Sequence, residues 1–230
     1  MIPQGYLNLK VDMSIIEKKT GIKITEGALS HEAMAYMVRS ISHLFDKLSE
    51  KGVTYFGHFI PAKNIILEYE DFFGQDIQKV TFSNCHRTAN ASVEKELRNF
   101  NPSAPKTFSH IIYIQAPRYL KSTLSYAGFY VKTAIEIFLG KRNFPLGLIR
   151  NYSRFDVESP HFSTTLKIMF SCAIGKVQDS ILVIDDTPVV RPVSRVNFTF
   201  DTRIMRLEDV DEFSKNWNEY FANPTLSFDK

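Results

Sequence analysis

Five residues offer the clearest chemistry: Arg118 and Lys121 at the start of an expected helix, and Arg150, Tyr152 and Arg154 at alternate positions of an expected strand. Side chains alternate along a strand, so positions 150, 152 and 154 share one face. A sheet face with guanidinium groups and a phenol ring can hold a phosphate backbone and stack a base. Lys167, Arg191 and Arg195 would join that face if their strands pair with it. Arg118 and Lys121 would stand at the positive end of a helix dipole, where a bound anion relieves the repulsion. Residues 105–155 carry eight Lys or Arg against one acid, Glu136, with Tyr113, Tyr119, Tyr126, Tyr130 and Tyr152 interleaved. Residues 1–104 are balanced and residues 156–230 are acidic, so the chain's net +3 hides a basic centre. A solvated face with aliphatic stems lying over the strands accounts for the same residues. Lys141 and Arg142 also suit the negative end of a helix, and Lys132 can pair with Glu136.

A second pattern is a pair of His-x-Ser/Thr tripeptides, His86-Arg87-Thr88 and His161-Phe162-Ser163. In these tripeptides the chain resembles the two-histidine phosphoesterases. The resemblance implies that His86 and His161 would serve as acid and base while Thr88 and Ser163 hold the phosphate. It covers only the two tripeptides, and Arg87 departs from the hydrophobic residue the family prefers between His and Ser/Thr.

Other sites are weaker. Asp185-Asp186 could take a hard cation, but before Thr187-Pro188 it reads as a turn. Cys85 and His86 are neighbours on an expected strand and point oppositely, which makes a poor nucleophile–base pair. His31 and His43 fit a helix surface, and His58 and His110 fit strand positions as hydrogen-bonded core residues. The P-loop, dinucleotide-fingerprint, zinc-protease and nucleophile-elbow motifs are all missing from the sequence. No cofactor or metal is implied. The two cysteines are too few for a disulfide framework or a four-cysteine zinc site, and both read as reduced thiols.

The elements that must position these residues follow from period. Residues 6–13 alternate, with Leu7, Leu9, Val11 and Met13 on one face, which predicts a half-buried strand. Ser30 caps a helix whose apolar positions, Met34, Met37, Val38, Ile41, Leu44, Phe45 and Leu48, keep the i, i+3, i+4 spacing up to a stop at Gly52. Residues 53–60, 64–70 and 77–83 read as strands, with 53–60 and 64–70 forming a hairpin, residues 71–76 as a loop and 92–100 as a short helix. Residues 101–105, Asn-Pro-Ser-Ala-Pro, resemble a linker. A strand over 108–115 and a long helix over 118–139 follow. Residues 146–155, 161–174, 180–184 and 189–200 read as an antiparallel sheet, with a turn at Gly175-Lys176 and Pro188 and Pro192 marking an edge strand. Leu207, Val210, Phe213, Trp217, Tyr220 and Phe221 stripe a final helix with an acidic first turn.

With 230 residues and 44% hydrophobic content the chain has ample core for one domain. The expectation is one α+β domain over 1–230, its mainly antiparallel mixed sheet covered on one side by three principal helices, with 101–105 as the fallback boundary. No apolar run reaches the roughly 18 residues a membrane span needs, and the N-terminus lacks a signal-peptide pattern, so a cytoplasmic protein without a membrane partner is expected. The leading functional expectation is a non-enzymatic protein that binds RNA or single-stranded DNA, with membership of a larger assembly as a further expectation. The alternatives are the phosphodiesterase and a small-ligand or protein-interaction module with an aromatic-lined pocket.

Overall fold

The computed structural model describes residues 4–46, 48, 53–55, 58–60, 65–73, 76–99, 145–158, 160, 168–184 and 186–222. The expected helix over 118–139, with Arg118 and Lys121, lies outside them, as do His110, His161, Ser163, Lys167 and the 101–105 segment.

β1 (Gln4–Asp12) alternates as its sequence requires: Leu9 and Val11 are buried while Lys10 is exposed. The strand passes directly into α1 (Met13–Thr20), a helix the sequence reading missed. Asp12 caps it through the Ser14 amide, and Gly21 closes it at φ 71°, a left-handed angle that favours glycine. α2 (His31–Leu44) begins as expected, with the Ala33 amide donating to Ser30 Oγ, and it is buried from Ala33 to Ser42. It ends at Phe45, well before Gly52.

β2 (Val53–Tyr55) and β3 (His58–Ile60) form a separate two-stranded hairpin. The longer hairpin lies further on, β4 (Ile66–Phe73) with β5 (Asp76–Ser83), so the expected 71–76 loop is largely strand. A 3₁₀ turn over Cys85–Arg87 leads to α3 (Asn90–Arg98). β6 (Gly147–Asn151), β7 (Phe170–Ile184), β8 (Thr187–Asp201) and α4 (Leu207–Ala222) complete the described chain.

The main sheet has six strands in the order β1-β8-β7-β6-β4-β5. The α+β class is as expected; the arrangement differs. The sheet is mixed and mainly antiparallel, as expected, and β7 pairs antiparallel with β8, but β6 runs parallel to both β4 and β7, where an antiparallel neighbour was expected. Four helices are described, against three principal ones expected. Gly175-Lys176 is no turn either: β7 continues through it with an irregularity between Ile174 and Val177. A Cβ at Gly175 would lie 2.4 Å from the Glu158 carbonyl oxygen, so this glycine permits a close backbone approach.

One sheet face meets α2 and α4 in an aromatic core. Phe45 stacks on Phe170 at 3.8 Å between centroids and 7° between planes. Phe198 and Phe213 meet Trp217, which is fully buried, as the apolar stripe of α4 predicted.

Candidate functional site

Two groups of polar side chains carry chemistry among the described residues. The first lies at the carboxyl end of β6. Arg150 Nε donates to Glu70 Oε2 at 2.7 Å, and Arg154 Nε lies 3.5 Å from Asp71 Oδ2. Asn151 Nδ2 donates to Asp71 Oδ1 at 3.1 Å, and the Ser153 amide donates to Asn151 Oδ1. The Leu29 amide donates to Ser153 Oγ, which ties this corner to the start of α2. Asp71 is buried, and so is Tyr69, whose hydroxyl is held well above its ordinary pKa by burial first and by the Asp71 carboxylate second. A shallow cleft of about 370 Å³ opens beside this corner. Glu26, Ser153, Arg154, Asp156 and Lys176 line it, and Phe155 is its one aromatic. That lining is polar, unlike the aromatic pocket expected as one alternative.

These contacts redistribute the residues that looked like one basic face. Glu70 and Asp71 are consecutive on β4, so their carboxylates point to opposite faces, and Arg150 and Arg154 follow them. Tyr152 and Arg154 lie beyond the end of β6, so the alternation that would align them with Arg150 has stopped. The Tyr152 ring stacks on Phe72 at 5.2 Å and 22°. Arg191 and Arg195 sit on β8, separated from β6 by β7, and Arg195 is in register with Lys10 of β1.

The second group surrounds His86, which is 9% exposed. Arg87 Nε donates to His86 Nε2 at 3.1 Å, so that nitrogen carries the lone pair. The ring proton then sits on Nδ1, 2.8 Å from Ser42 Oγ on α2. Asp46 Oδ1 lies 3.8 Å from both His86 Nε2 and Arg87 Nη2. Burial lowers the His86 pKa most; Asp46 opposes this, while Arg87, His43 and Arg39 add to it. The His43 ring stands 6.4 Å from His86 and 5.8 Å from Tyr220 of α4. Tyr36 and Tyr220 share a buried hydroxyl contact at 3.2 Å about two turns away along α2. Cys85 and His86 lie in the 3₁₀ turn and not on the expected strand; Cys85 is a poor nucleophile for another reason, being buried with its thiol pushed up to about 11. Thr88 caps the 3₁₀ turn through its backbone amide, donated to the Cys85 carbonyl.

No protein-family model matches the sequence, and no characterised protein matches it in sequence. Solved structures do match in fold. A probable dihydrolipoamide acetyltransferase from Listeria monocytogenes superposes with a TM-score of 0.64 at 12% identity, over 99% of this chain and 88% of that one. The dihydrolipoamide acetyltransferase of Azotobacter vinelandii superposes with a TM-score of 0.61 at 10% identity, over 96% of this chain and 82% of that one. The chain shares its fold with these two enzymes. A truncated catalytic core of the Thermoplasma acidophilum 2-oxoacid dehydrogenase multienzyme complex agrees, at a TM-score of 0.62 and 8% identity over 98% of this chain and 90% of that one. This overturns the expectation of a nucleic-acid-binding protein: the structural neighbours are two dihydrolipoamide acetyltransferases and the catalytic core of a 2-oxoacid dehydrogenase complex. The physical reason lies in the carboxylates: Glu70 and Asp71 engage Arg150 and Arg154, and Tyr152 is stacked within the chain. RNA and single-stranded DNA therefore have no support as partners. Membership of a protein assembly, the other half of that expectation, accords with the complexes to which these relatives belong.

The catalytic mechanism of the Azotobacter enzyme involves a serine, a histidine and an asparagine, the last two four residues apart. In this sequence a histidine precedes an asparagine by four only at His86 and Asn90. Ser42 is already hydrogen-bonded to that histidine, but Asn90 turns away and donates to the Glu32 carbonyl at 3.3 Å. Sequence reading singled out His86 and missed Ser42, because their approach joins residues 44 positions apart.

Proposed function

We propose that this chain is a self-assembling structural subunit built on the acetyltransferase fold, with the fold serving as a building block in place of a transfer catalyst. The observation that carries the reading is the state of His86. A general base must reach the proton it removes, either directly or through one water. Here Nδ1 faces Ser42, Nε2 accepts from Arg87, and the ring is 9% exposed. The imidazole joins α2 to the turn that starts α3, which is a packing role. Assembly fits the related folds, among them the cubic core of a pyruvate dehydrogenase multienzyme complex.

The Ser42–His86 contact also favours a second reading, acetyl transfer at this pair, since the residue types match those of the Azotobacter enzyme. One experiment separates the two. The purified chain is given an acetyl thioester and dihydrolipoamide, and product is compared with that of a His86→Ala variant. The structural reading expects no rate that depends on His86. A rate about 100-fold above the variant would overturn it in favour of transfer. Sedimentation of the same preparation tests assembly, and a monomer at every concentration would overturn the building-block reading.

A further inference from the structure

We propose that the outer edge of β7, over residues 178–184, is the surface through which two copies of this chain pair, so that their sheets join. This rests on the self-assembly reading above and names its contact. β6 pairs only with Phe170–Ile174 of β7, and β1 pairs only with Val193–Asp201 of β8. Beyond those limits, apart from the bridge from Gly27 to Val177, the two strands pair with each other alone among the described residues. They form a ribbon that projects from the sheet. Ile181 is 71% exposed, Val183 72% and Val190 61%. Ile181 is the cross-strand partner of Val190 and Val183 that of Pro188, so the four share one face. Isolated exposed apolar residues need no explanation, but an aligned patch on a lone ribbon marks an interaction surface.

The chemistry of the edges selects a second copy as the occupant. The β8 edge of the ribbon carries Pro188 and Pro192, which lack the N–H a further strand would need. The β7 edge has no proline, and Ser180, Ile181, Leu182, Val183 and Ile184 hold no charge. Lysines guard the two outer strands of the six-stranded sheet, Lys10 on β1 and Lys79 on β5. Among the described residues of the six-stranded sheet, the β7 edge is thus open and is apolar over residues 181–184, with Asp179 its one charge. An identical edge in antiparallel pairing obeys two-fold symmetry, so the contact is isologous and closes at two copies. A two-fold axis normal to the ribbon keeps Ile181 and Val183 of both copies on one face, extending the apolar patch across four strands.

The test uses the full chain in sedimentation velocity, with Ile181→Lys/Val183→Lys and Ile181→Pro as variants. Both lysines replace exposed side chains, so folding is retained, and circular dichroism with thermal melting verifies this. The expected result is a wild-type assembly whose mass at least halves in the lysine variant, its dissociation constant rising about ten-fold or more. Ile181→Pro, which removes an N–H that faces the open edge as Val177's does toward Gly27, gives the same loss. A wild-type assembly left unchanged by the lysine variant would overturn the ribbon contact while sparing self-assembly. A wild-type monomer up to high concentration would overturn both.

Discussion

Replacing Gly147 with alanine tests the packing that holds the candidate corner. Gly147 opens β6, four residues before Asn151. A Cβ built there would lie 2.2, 2.4 and 2.6 Å from three carbons of the Phe170 ring. No carbon pair tolerates such distances, so a side chain or the backbone must move. Phe170 has little room to do so: it is fully buried and stacked on Phe45 at 3.8 Å. Phe45 in turn touches Phe213 at 4.6 Å, so a shift would propagate into α4. Overpacking of this kind costs about 1–3 kcal/mol and can exceed it when no rotamer relieves the clash. With a urea dependence of about 1–3 kcal/mol per molar, the unfolding midpoint should fall by about 1 M.

The clash also predicts a rescue. Phe170→Leu alone should destabilise, by less than the about 3–5 kcal/mol typical of truncating a core phenylalanine to alanine. In the double variant the shorter side chain makes room for the new methyl. The two changes should then couple favourably by about 0.5–3 kcal/mol. Urea unfolding of the four proteins, followed by Trp217 fluorescence, reads this directly. Additive effects would refute the reasoning, because they would mean that the methyl group and the Phe170 ring never compete for the same space.

Three further outcomes are expected. Arg154→Glu should lower thermal stability measurably, by about 1–3 kcal/mol, because it places a second carboxylate beside buried Asp71; an unchanged melting temperature would return Arg154 to the role of a free surface cation. His86 has a folded pKa below its ordinary 6.5, so the unfolded chain takes up the proton first. Its contribution is therefore complete above about pH 6.5 and is lost as pH falls below that value, and His86→Gln should flatten stability between pH 7 and 5 relative to wild type. Cys85 and Cys172 are buried with raised thiol pKa values, so a thiol reagent at pH 8 should label them only after denaturant opens the chain.

The parts legible in the sequence were those whose signal is local. The Ser30 cap and the 3.6-residue stripe gave α2, and alternation from Leu7 to Val11 gave β1, because both patterns repeat over neighbouring residues. The Trp217 anchor followed from the stripe of α4 in the same way. What stayed hidden depends on distant partners. Parallel pairing of β4 and β6 joins segments about eighty positions apart, and nothing in either segment announces its neighbour. Gly175 was legible as a glycine but not as a site of close backbone approach, since the Glu158 carbonyl that requires it comes from another part of the fold. The Ser42–His86 pair was invisible for the same reason. Asp71 was read as the start of a loop, which concealed that it and Glu70 are adjacent strand residues facing opposite ways.

That misreading has a physical consequence for the basic residues. Parallel strands have no tight turn to set their register, so cross-strand side chains must do it. On β4 and β6, Glu70 stands opposite Arg150 and Asp71 opposite Asn151 in the backbone register. The side chains repeat that register, with Arg150 bonded to Glu70 and Asn151 to Asp71. A one-residue slip would move each side chain to the wrong face and leave buried Asp71 without Asn151, a cost borne by a buried charge. Arg150 and Asn151 therefore specify how two distant segments meet. A charge count along the chain cannot separate a cation that awaits a ligand from one that fixes a strand. The partner carboxylate makes that distinction, and here it lies eighty residues upstream on β4.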